Sequence, residues 1–303
     1  MITDMVEMTI FTPTLNRGYT INNLYESIKR QTFTNFEWII IDQGTDNTEK
    51  IIDTWDQDIR KKTIYLHKPE EKGINRAYNN ALKLARGKLF FKVDSDDKIS
   101  EDALQIIIDE YNSLKDKSAY CGVAGLRAYS SGKVIGGDWK LNVESIDASN
   151  FERKKYGLLG DKAECYFTKL LVEYGPMPEI IGETYTDEAI LYNRIANAGY
   201  KLRWFNKVIY YTEYLADGIT KNLPDVQKHN PSTYKLMTNE YIQYKQYSTI
   251  FKLKLLCRFF ETARELNKEK EWAFDGIVYS GLLKEVAWTA SKFTKNIKRT
   301  PIG

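Results

Sequence analysis

Three carboxylates fall within four residues at Asp94-Ser95-Asp96-Asp97. Carboxylates this close repel one another, so a chain that folds them together gains from a cation that neutralises them. Oxygen ligands of this kind suit Mg²⁺ or Mn²⁺ shared with substrate phosphates. A solvated surface turn of the same composition is also common, and on these four residues alone both interpretations stay open.

The residues before this cluster favour a metal site over a surface turn. Residues 89–93 form a short apolar run, which predicts a buried strand that delivers the cluster at its carboxyl end. Open α/β sheets bind ligands at that edge. Polar segments also follow two earlier predicted strands, at residues 12–17 and 42–46. We therefore expect the three segments to meet at one edge of a sheet.

Short apolar runs alternate with amphipathic stretches over the first hundred residues, which is typical of βα units around a mostly parallel sheet. Strands are predicted over residues 8–14, 37–42, 63–67 and 89–93, and helices over residues 20–31, 48–55, 74–85 and 101–114. We expect Gly87 to end the third helix in the left-handed conformation. Further strands are predicted over residues 119–129, 133–135, 201–205 and 208–213, and further helices over residues 163–174 and 185–198.

The composition indicates a folded chain with room for one large and one smaller domain: 303 residues, 43% hydrophobic, 28% charged, with 7 prolines. Three scattered cysteines and two histidines argue against a disulfide framework, most zinc chemistry and Ser-His-Asp hydrolysis. No run approaches the roughly 18 apolar residues of a membrane span, and residues 1–7 lack a basic leader. We expect a cytoplasmic protein.

Four segments together resemble the inverting, family-two glycosyltransferases of GT-A fold: residues 12–17, 38–48, 73–87 and 90–97. The resemblance covers the first 220 residues, approximately, and implies an α/β, Rossmann-like domain with a mostly parallel central sheet and flanking helices. We place this GT-A domain at residues 1–222 and a helical C-terminal appendage at residues 223–303.

The resemblance also implies a UDP-sugar site. The residues predicted to contact the UDP-sugar are Thr12, Pro13, Thr14, Asn16, Arg17, Asp42, Gly73, Arg76, Asn79, Asp94 and Ser95. Thr12, Asn16 and Asp42 would line the uridine pocket, and residues 73–79 would approach the diphosphate. Asp94 and Asp96 would hold Mn²⁺ or Mg²⁺, with Asp96 as the more direct ligand.

The family places its general base in an acidic pair at a helix start, which here is Asp187-Glu188. The register counted back from Arg194 favours Glu188, although a carboxylate at a helix start also complements the helix dipole. The implied reaction is attack by the acceptor hydroxyl opposite the leaving diphosphate, which inverts the anomeric centre without a covalent intermediate.

Two positions depart from the family pattern. The second strand usually ends in two acidic residues, but Gln43 follows Asp42, which puts a ribose or base contact in doubt. The histidine that often follows the last strand is missing from residues 214–218, and Lys221 is the candidate to replace its pyrophosphate contact.

The last quarter of the chain is basic: from Lys228 onward, 14 Lys and Arg face 7 Asp and Glu, a net +7 against −4 for the rest. The final stretch is amphipathic, with apolar Leu282, Val286, Phe293 and Ile297 beside basic Lys284, Lys292, Lys295, Lys298 and Arg299. The two interpretations are a helical appendage that packs on the catalytic domain and a peripheral contact with an anionic membrane. Nucleic-acid binding is disfavoured, because no nucleic-acid motif accompanies the charge.

The partners implied are a UDP-linked donor and a saccharide or lipid-linked acceptor, with a homo-oligomer left open. One alternative function is a nucleotidyltransferase, which would need a glycine-rich basic loop after the first strand, whereas residues 12–20 contain one Gly and one Arg. The other is a catalytically silent protein that binds sugar nucleotides, against which the joint presence of Asp94, Asp96 and Glu188 argues.

Overall fold

The computed structural model describes residues 5–213 and 218–293. Its chain divides into two compact units. Within the described residues, the first comprises residues 5–177 and 191–213, and the second comprises residues 178–190 and 218–293. The predicted domains, 1–222 and 223–303, stay a prediction. Residues 178–190 lie inside the first predicted range but are grouped with the second unit.

Nine strands form one sheet within the described residues of the first unit. They are β1 Met8–Thr14, β2 Phe36–Asp42, β3 Thr63–His67, β4 Leu89–Lys92, β5 Lys98–Ile99, β6 Tyr120–Ala128, β7 Ser145–Ala148, β8 Lys162–Phe167 and β9 Lys201–Tyr211. Their order is β3-β2-β1-β4-β8-β6-β9-β5, with β7 beside β9. The pairs β3-β2, β2-β1 and β1-β4 are parallel, so the carboxyl ends of β1, β2 and β4 share one edge.

Helices flank this sheet as its parallel connections require: α1 Gly18–Lys29, α2 Thr48–Ile52, α3 Gln57–Arg60, α4 Ile74–Leu84, α5 Ala103–Ser113, α6 Thr168–Tyr174 and α7 Ala189–Asn197. Every residue of β2 is buried, as its unbroken apolar run indicates. Phe11, Phe90 and Tyr78 pack together with ring centroids 5.3–5.6 Å apart, which joins α4 to the face formed by β1 and β4.

The helix predicted over residues 163–174 was wrong in its first half. Residues 162–167 form strand β8, which pairs antiparallel with both β4 and β6, and only Thr168–Tyr174 is helical. The strand is fixed by pairing with two neighbours that are distant in the sequence, which a helical pattern in the local sequence does not reveal. The strands predicted over residues 201–205 and 208–213 are one strand, β9, with register shifts beside β6.

Gly87 does not adopt the left-handed conformation predicted for it. Helix α4 ends at Leu84, the next residue Ala85 is extended with φ and ψ of −62° and 126°, and Gly87 follows without a positive φ. A Cβ on Gly87 would lie 2.3 Å from the backbone nitrogen of Thr9. The glycine is therefore needed for close approach to β1, and its hydrogen-bonding groups confirm the contact: Gly87 N–H donates to Thr9 Oγ1 at 2.9 Å.

The second unit is helical after its first segment, with α8 Ile219–His229, α9 Pro231–Gln243, α10 Thr249–Glu265, α11 Lys270–Phe274 and α12 Gly281–Ala290. Helix α10 packs against α9 and α12, and buries Leu256, Phe259 and Phe260 completely. The helices predicted after residue 223 are confirmed. Among the described residues, no helix is both long and apolar enough to span a bilayer. The predicted amphipathic face extends to Lys295, Ile297, Lys298 and Arg299, which lie outside the described residues.

Candidate active site

The carboxyl ends of β1, β2 and β4 bring the predicted donor and metal residues to one edge of the sheet. Thr14 is paired with Asp42 across β1 and β2, and Phe11 is paired with Lys92 across β1 and β4. The strand contact continues one residue further, because Val93 N–H donates to the carbonyl of Phe11 at 2.8 Å. Residues 12–17, 42–46 and 94–97 therefore leave the sheet side by side, as predicted.

Asp94 is neutralised by the protein itself. Lys92 Nζ lies 3.0 Å from Asp94 Oδ1, and an Arg127 guanidinium nitrogen lies 4.0 Å from Oδ2. Burial opposes ionisation of this carboxyl, but Lys92 and Arg127 outweigh it and lower the pKa of Asp94. Asp94 is therefore an ionised carboxylate that shares its charge with two cations.

Asp97 is held in the interior by hydroxyl groups. Tyr210 Oη donates to Asp97 Oδ2 at 2.7 Å and accepts the Asp94 N–H at 2.9 Å, and Thr212 adds a further hydrogen bond. Burial, followed by repulsion from Asp94, raises the pKa of Asp97 to about 7. The Arg127 guanidinium lies 3.9 Å from the centre of the Tyr210 ring, so a cation–π contact also holds the Tyr210 side chain in place.

Asp96 differs from both neighbours, because no side chain in residues 5–213 and 218–293 makes an ion pair or hydrogen bond with its carboxylate. Burial and the charge of Asp94 raise the pKa of Asp96, and its own backbone N–H and the charges of Arg17 and Lys92 offset this rise only in part, so its ionised form lacks full compensation.

A cation at Asp96 would supply that compensation, and the residues therefore fit Mn²⁺ or Mg²⁺. The described residues contain no cluster of three His, Cys, Asp or Glu able to hold a metal. Mg²⁺ sites commonly use one or two carboxylates plus substrate phosphates, and a set based on Asp96 with Asp94 beside it matches that pattern.

The predicted uridine residues form a tight turn arrangement. Asp42 is 2% exposed, and its carboxylate accepts Gly44 N–H at 2.8 Å and the Tyr65 hydroxyl at 2.7 Å. Asn16 has a φ of 54°, and its side-chain oxygen accepts Thr45 N–H at 2.8 Å. A Cβ on Gly44 would lie 2.6 Å from Asn16 N, so only glycine permits this approach.

Gln43 organises the segment that was predicted to meet the diphosphate. Its side-chain nitrogen donates to the carbonyls of Glu71 and Gly73, and its side-chain oxygen accepts Gly73 N–H at 3.2 Å. Gly73 has a φ of 133°, which disfavours other residues, and directly precedes α4. A carboxylate at position 43 could not donate to the two carbonyls, so the departure from the family pattern has a structural consequence.

Two other residues predicted to bind the sugar donor already make hydrogen bonds within the protein. The Asn79 side chain donates to Met177 O and accepts Met177 N–H, both at 2.9 Å. The Thr12 hydroxyl accepts the Trp38 indole N–H at 3.0 Å. These contacts give Asn79 and Thr12 structural roles that the sequence did not reveal, and their contact with the donor stays a prediction.

The remaining predicted donor residues lie around the same strand ends. Thr14 is buried, and its hydroxyl has no hydrogen-bond partner within the described residues, while Ser95 is also buried. Pro13 is half-buried, and so is Arg17, which directly precedes α1. Arg76 donates to the carbonyl of Lys72 at 2.9 Å on the first turn of α4. Thr14 is the residue of this set whose polar atom is left for a ligand or water.

The predicted acidic pair precedes α7 and belongs to the second unit. Asp187 Oδ1 accepts Ala189 N–H at 2.9 Å, and the Asp187 carbonyl accepts Ile190 N–H at 3.1 Å. These are the contacts of a residue that caps a helix start. Arg194, on the last turns of α7, donates to the carbonyls of Tyr174 and Pro176 at 3.2 Å.

Lys92, Arg127 and Tyr210 surround the acidic cluster but were not predicted. Lys92 could have been suspected, because a lysine inside an apolar strand two residues before a carboxylate can reach it on the same face. Arg127 and Tyr210 come from β6 and β9, and local sequence carries no signal that these strands lie near β4.

Residues 9–142 match the family model described as Glycosyl transferase family 2. Chondroitin synthase of Pasteurella multocida is 27% identical over 228 residues, which are 74% of this chain and 22% of that protein. The chain spans only 14–36% of the length of the curated relatives first matched. Over residues 9–142 this chain is thus similar to the sugar transferases of glycosyl transferase family 2.

Solved structures confirm the fold. TarS of Staphylococcus aureus, residues 1–349 in complex with UDP-GlcNAc, matches with a TM-score of 0.60 at 18% identity, over 94% of this chain and 79% of that chain. A mannosyltransferase from Pyrobaculum calidifontis, in complex with GDP-Man and Mn²⁺, matches with a TM-score of 0.55 at 16% identity, over 97% and 77%. The predicted GT-A fold is confirmed.

Proposed function

We propose that this protein is a metal-dependent, inverting glycosyltransferase. It moves a sugar from a UDP-sugar to a saccharide or lipid-linked saccharide acceptor in the synthesis of a surface polysaccharide. The observation that carries the proposal is the convergence of Asn16, Asp42 and Asp96 at one edge of a parallel sheet in a family 2 domain.

The donor end of the site is built from the turns after β1 and β2. Asp42 has carboxylate lone pairs beyond its two protein contacts and can accept a uracil N–H or a ribose hydroxyl. Gly44 lets the turn that carries Asn16 pack closely against the turn that carries Asp42. Uridine is favoured over other bases because the similar TarS structure holds UDP-GlcNAc, and the sugar itself is left open.

The diphosphate end is built from residues 73–76, Arg17 and the acidic cluster. Mn²⁺ or Mg²⁺ held by Asp96, with Asp94 beside it, would stabilise the negative charge that develops on the departing diphosphate. Lys92 and Arg127 keep Asp94 ionised, and the Gln43 amide fixes the position of Gly73. Lys221, at the exposed side of α8, stays the candidate for an additional phosphate contact.

Glu188 is proposed as the general base. It removes the proton from the acceptor hydroxyl as the oxygen bonds to the anomeric carbon and the bond to the diphosphate breaks. Asp187 is the weaker candidate, because its carboxylate already accepts the Ala189 N–H at the helix start.

A peripheral membrane contact is proposed for the C-terminal helices. Leu282, Val286 and Phe293 are 74%, 50% and 84% exposed, and the sequence around them is basic. Such a face suits an anionic bilayer that presents a lipid-linked acceptor, with the protein in the cytoplasm. We expect sedimentation with anionic phospholipid vesicles at low salt but not with neutral vesicles, and equal behaviour with both would remove this part of the proposal. Light scattering on the same protein sample measures whether the chain forms a homo-oligomer.

The test of function is a panel of UDP-, GDP- and dTDP-sugars, each incubated with Mn²⁺ and simple glycoside acceptors. We expect release of UDP from at least one UDP-sugar, loss of release in EDTA, and an NMR spectrum of the product with the anomeric configuration opposite to that of the donor. Tight UDP binding without turnover on any donor and acceptor would instead favour a silent binding protein. A retained anomeric configuration would contradict the mechanism.

A further inference from the structure

A cavity lies entirely within the second unit, between α8, α9, α10 and the segment before α7. Its enclosed part measures about 40 Å³, and the empty space reaches about 540 Å³ only when the open space at its mouth is counted as well. Six of its lining residues define what we name the α9 cavity: Tyr185, Gln227, Thr233, Tyr234, Met237 and Tyr241. None of these six belongs to the donor site described above.

Thr233 is the observation that points to a ligand. The residue is 2% exposed, and its side-chain hydroxyl has no hydrogen-bond partner within the described part of the chain. Its backbone N–H is satisfied, because it donates to Glu183 Oε2 at 2.7 Å. Buried hydroxyls are normally paired, so this one is left for a molecule that enters the cavity.

The cavity wall is held in place by groups that are already paired. Glu183 accepts the N–H groups of Ser232 and Thr233 at the start of α9. Asn230 accepts the N–H groups of Thr184 and Tyr185 and donates to the carbonyl of Val226. These bonds tie the segment before α7 to α8 and α9, so the Thr233 hydroxyl is presented from a built surface.

The lining has the chemistry of a site for a neutral sugar ring. Tyrosine rings can cover the apolar face of a pyranose, while the Gln227 amide and the Thr233 hydroxyl can pair with its hydroxyl groups. Asp187 also lines the cavity, and no Lys or Arg is found among the lining residues that the structure describes. An anionic ligand such as a diphosphate would therefore meet repulsion without a balancing cation.

We propose that the α9 cavity binds a neutral sugar ring of the acceptor. The inference rests on the proposed function in one respect. Asp187 lines the α9 cavity, and the next residue, Glu188, is the proposed general base. The sugar in this cavity is then part of the molecule whose hydroxyl is deprotonated. The C-terminal helices thereby supply acceptor recognition.

The test uses the full chain and measures binding without a donor. The probes are methyl glycosides of hexoses and N-acetylhexosamines, followed by saturation-transfer NMR and calorimetry. We expect millimolar binding of at least one glycoside. Thr233→Val keeps the shape but removes the hydroxyl, and should weaken binding about 3- to 10-fold, as expected for one lost hydrogen bond, without lowering the unfolding midpoint.

A pair of variants on α9 tests the location. Met237→Trp fills the cavity and should abolish glycoside binding while leaving the dissociation constant of UDP as in the wild type. Leu236→Trp places the same side chain at a position 37% exposed on the same helix, outside the lining, and should bind glycosides normally.

The proposal is overturned if no glycoside binds, if Met237→Trp binds as the wild type does, or if Thr233→Val loses stability but not affinity. Binding of an isoprenoid alcohol that glycosides fail to displace would also overturn it, in favour of a lipid site. Because donor turnover is not needed for this test, glycoside binding with no turnover of any nucleotide sugar would refute the proposed reaction but not the cavity.

Discussion

Asp94, Asp96 and Asp97 lie within four residues but meet different neighbours. Asp94 contacts Lys92 and Arg127, Asp97 contacts the Tyr210 hydroxyl, and Asp96 has neither kind of partner among the described residues. The sequence predicted the cluster and its place at a strand end, because both are local properties. It could not predict the division of roles, since Arg127 and Tyr210 arrive from distant strands.

The Gln43 amide gives a prediction about the donor loop. Gln43→Glu replaces a donor with a carboxylate facing the carbonyls of Glu71 and Gly73, and should destabilise the protein by about 1–3 kcal/mol. Binding of UDP should weaken as well, because Gly73 loses its position. Urea unfolding and calorimetric titration with UDP measure the two effects.

The matched control for that change is Gln57→Glu, which makes the same substitution at an exposed position in the first turn of α3. A carboxylate there complements the helix dipole, so stability should stay equal or rise slightly. Equal behaviour of the two variants would show that the Gln43 contacts are unimportant.

The roles of Glu188 and Asp187 can be distinguished by whether a substitution lowers kcat or lowers stability. Glu188→Gln should lower kcat by about 10²- to 10⁴-fold and leave the unfolding midpoint unchanged, since a general base is removed. Asp187→Ala should cost about 0.5–2 kcal/mol of stability, because the Ala189 N–H loses its acceptor. Steady-state kinetics and thermal unfolding of both variants decide the matter, and a larger kcat loss for Asp187→Ala would reverse the assignment.

At the scale of elements, the first strands of the sheet were the most predictable part of the fold. Strands β1 and β3 have the predicted bounds, because their apolar runs are bounded by clear turn residues. Strand β8 was missed, since its identity comes from pairing with β4 and β6 and not from its own pattern. The short strands β5 and β7 were missed for the same reason.

Gly87 provides a prediction about how α4 meets the sheet. In Gly87→Ala the new Cβ would lie 2.3 Å from Thr9 N and 2.5 Å from the Met8 carbonyl carbon, so backbone must shift. We expect a loss of about 1–3 kcal/mol in the free energy of unfolding. Chemical denaturation measures it.

Gly281→Ala is the control for the glycine prediction. A Cβ at Gly281, the first residue of α12, meets nothing within 4 Å. Alanine is the better helix former, so this variant should be neutral or more stable by up to about 1 kcal/mol. Similar losses in both variants would mean that close approach to β1 is not what requires glycine at position 87.

At the scale of the whole molecule, the order of the motifs along the chain predicted the family and the fold, because each motif follows a strand of a recurrent sheet. The sequence did not predict that residues 178–190 join the C-terminal helices in a second unit. Contacts such as Glu183 with Ser232 and Thr233 join residues about fifty positions apart, and no local pattern records them. The basic charge of the last quarter was visible, but the α9 cavity was not.

The central claim is that Asp96 couples a divalent cation to UDP. Calorimetric titration of UDP with and without Mn²⁺ tests it in the full chain, with Asp96→Asn as the variant and exposed Asp58→Asn as the matched control. We predict that Mn²⁺ tightens UDP binding about tenfold or more in the wild type and control, and less than about twofold in Asp96→Asn. Equal tightening in all three proteins would contradict the account.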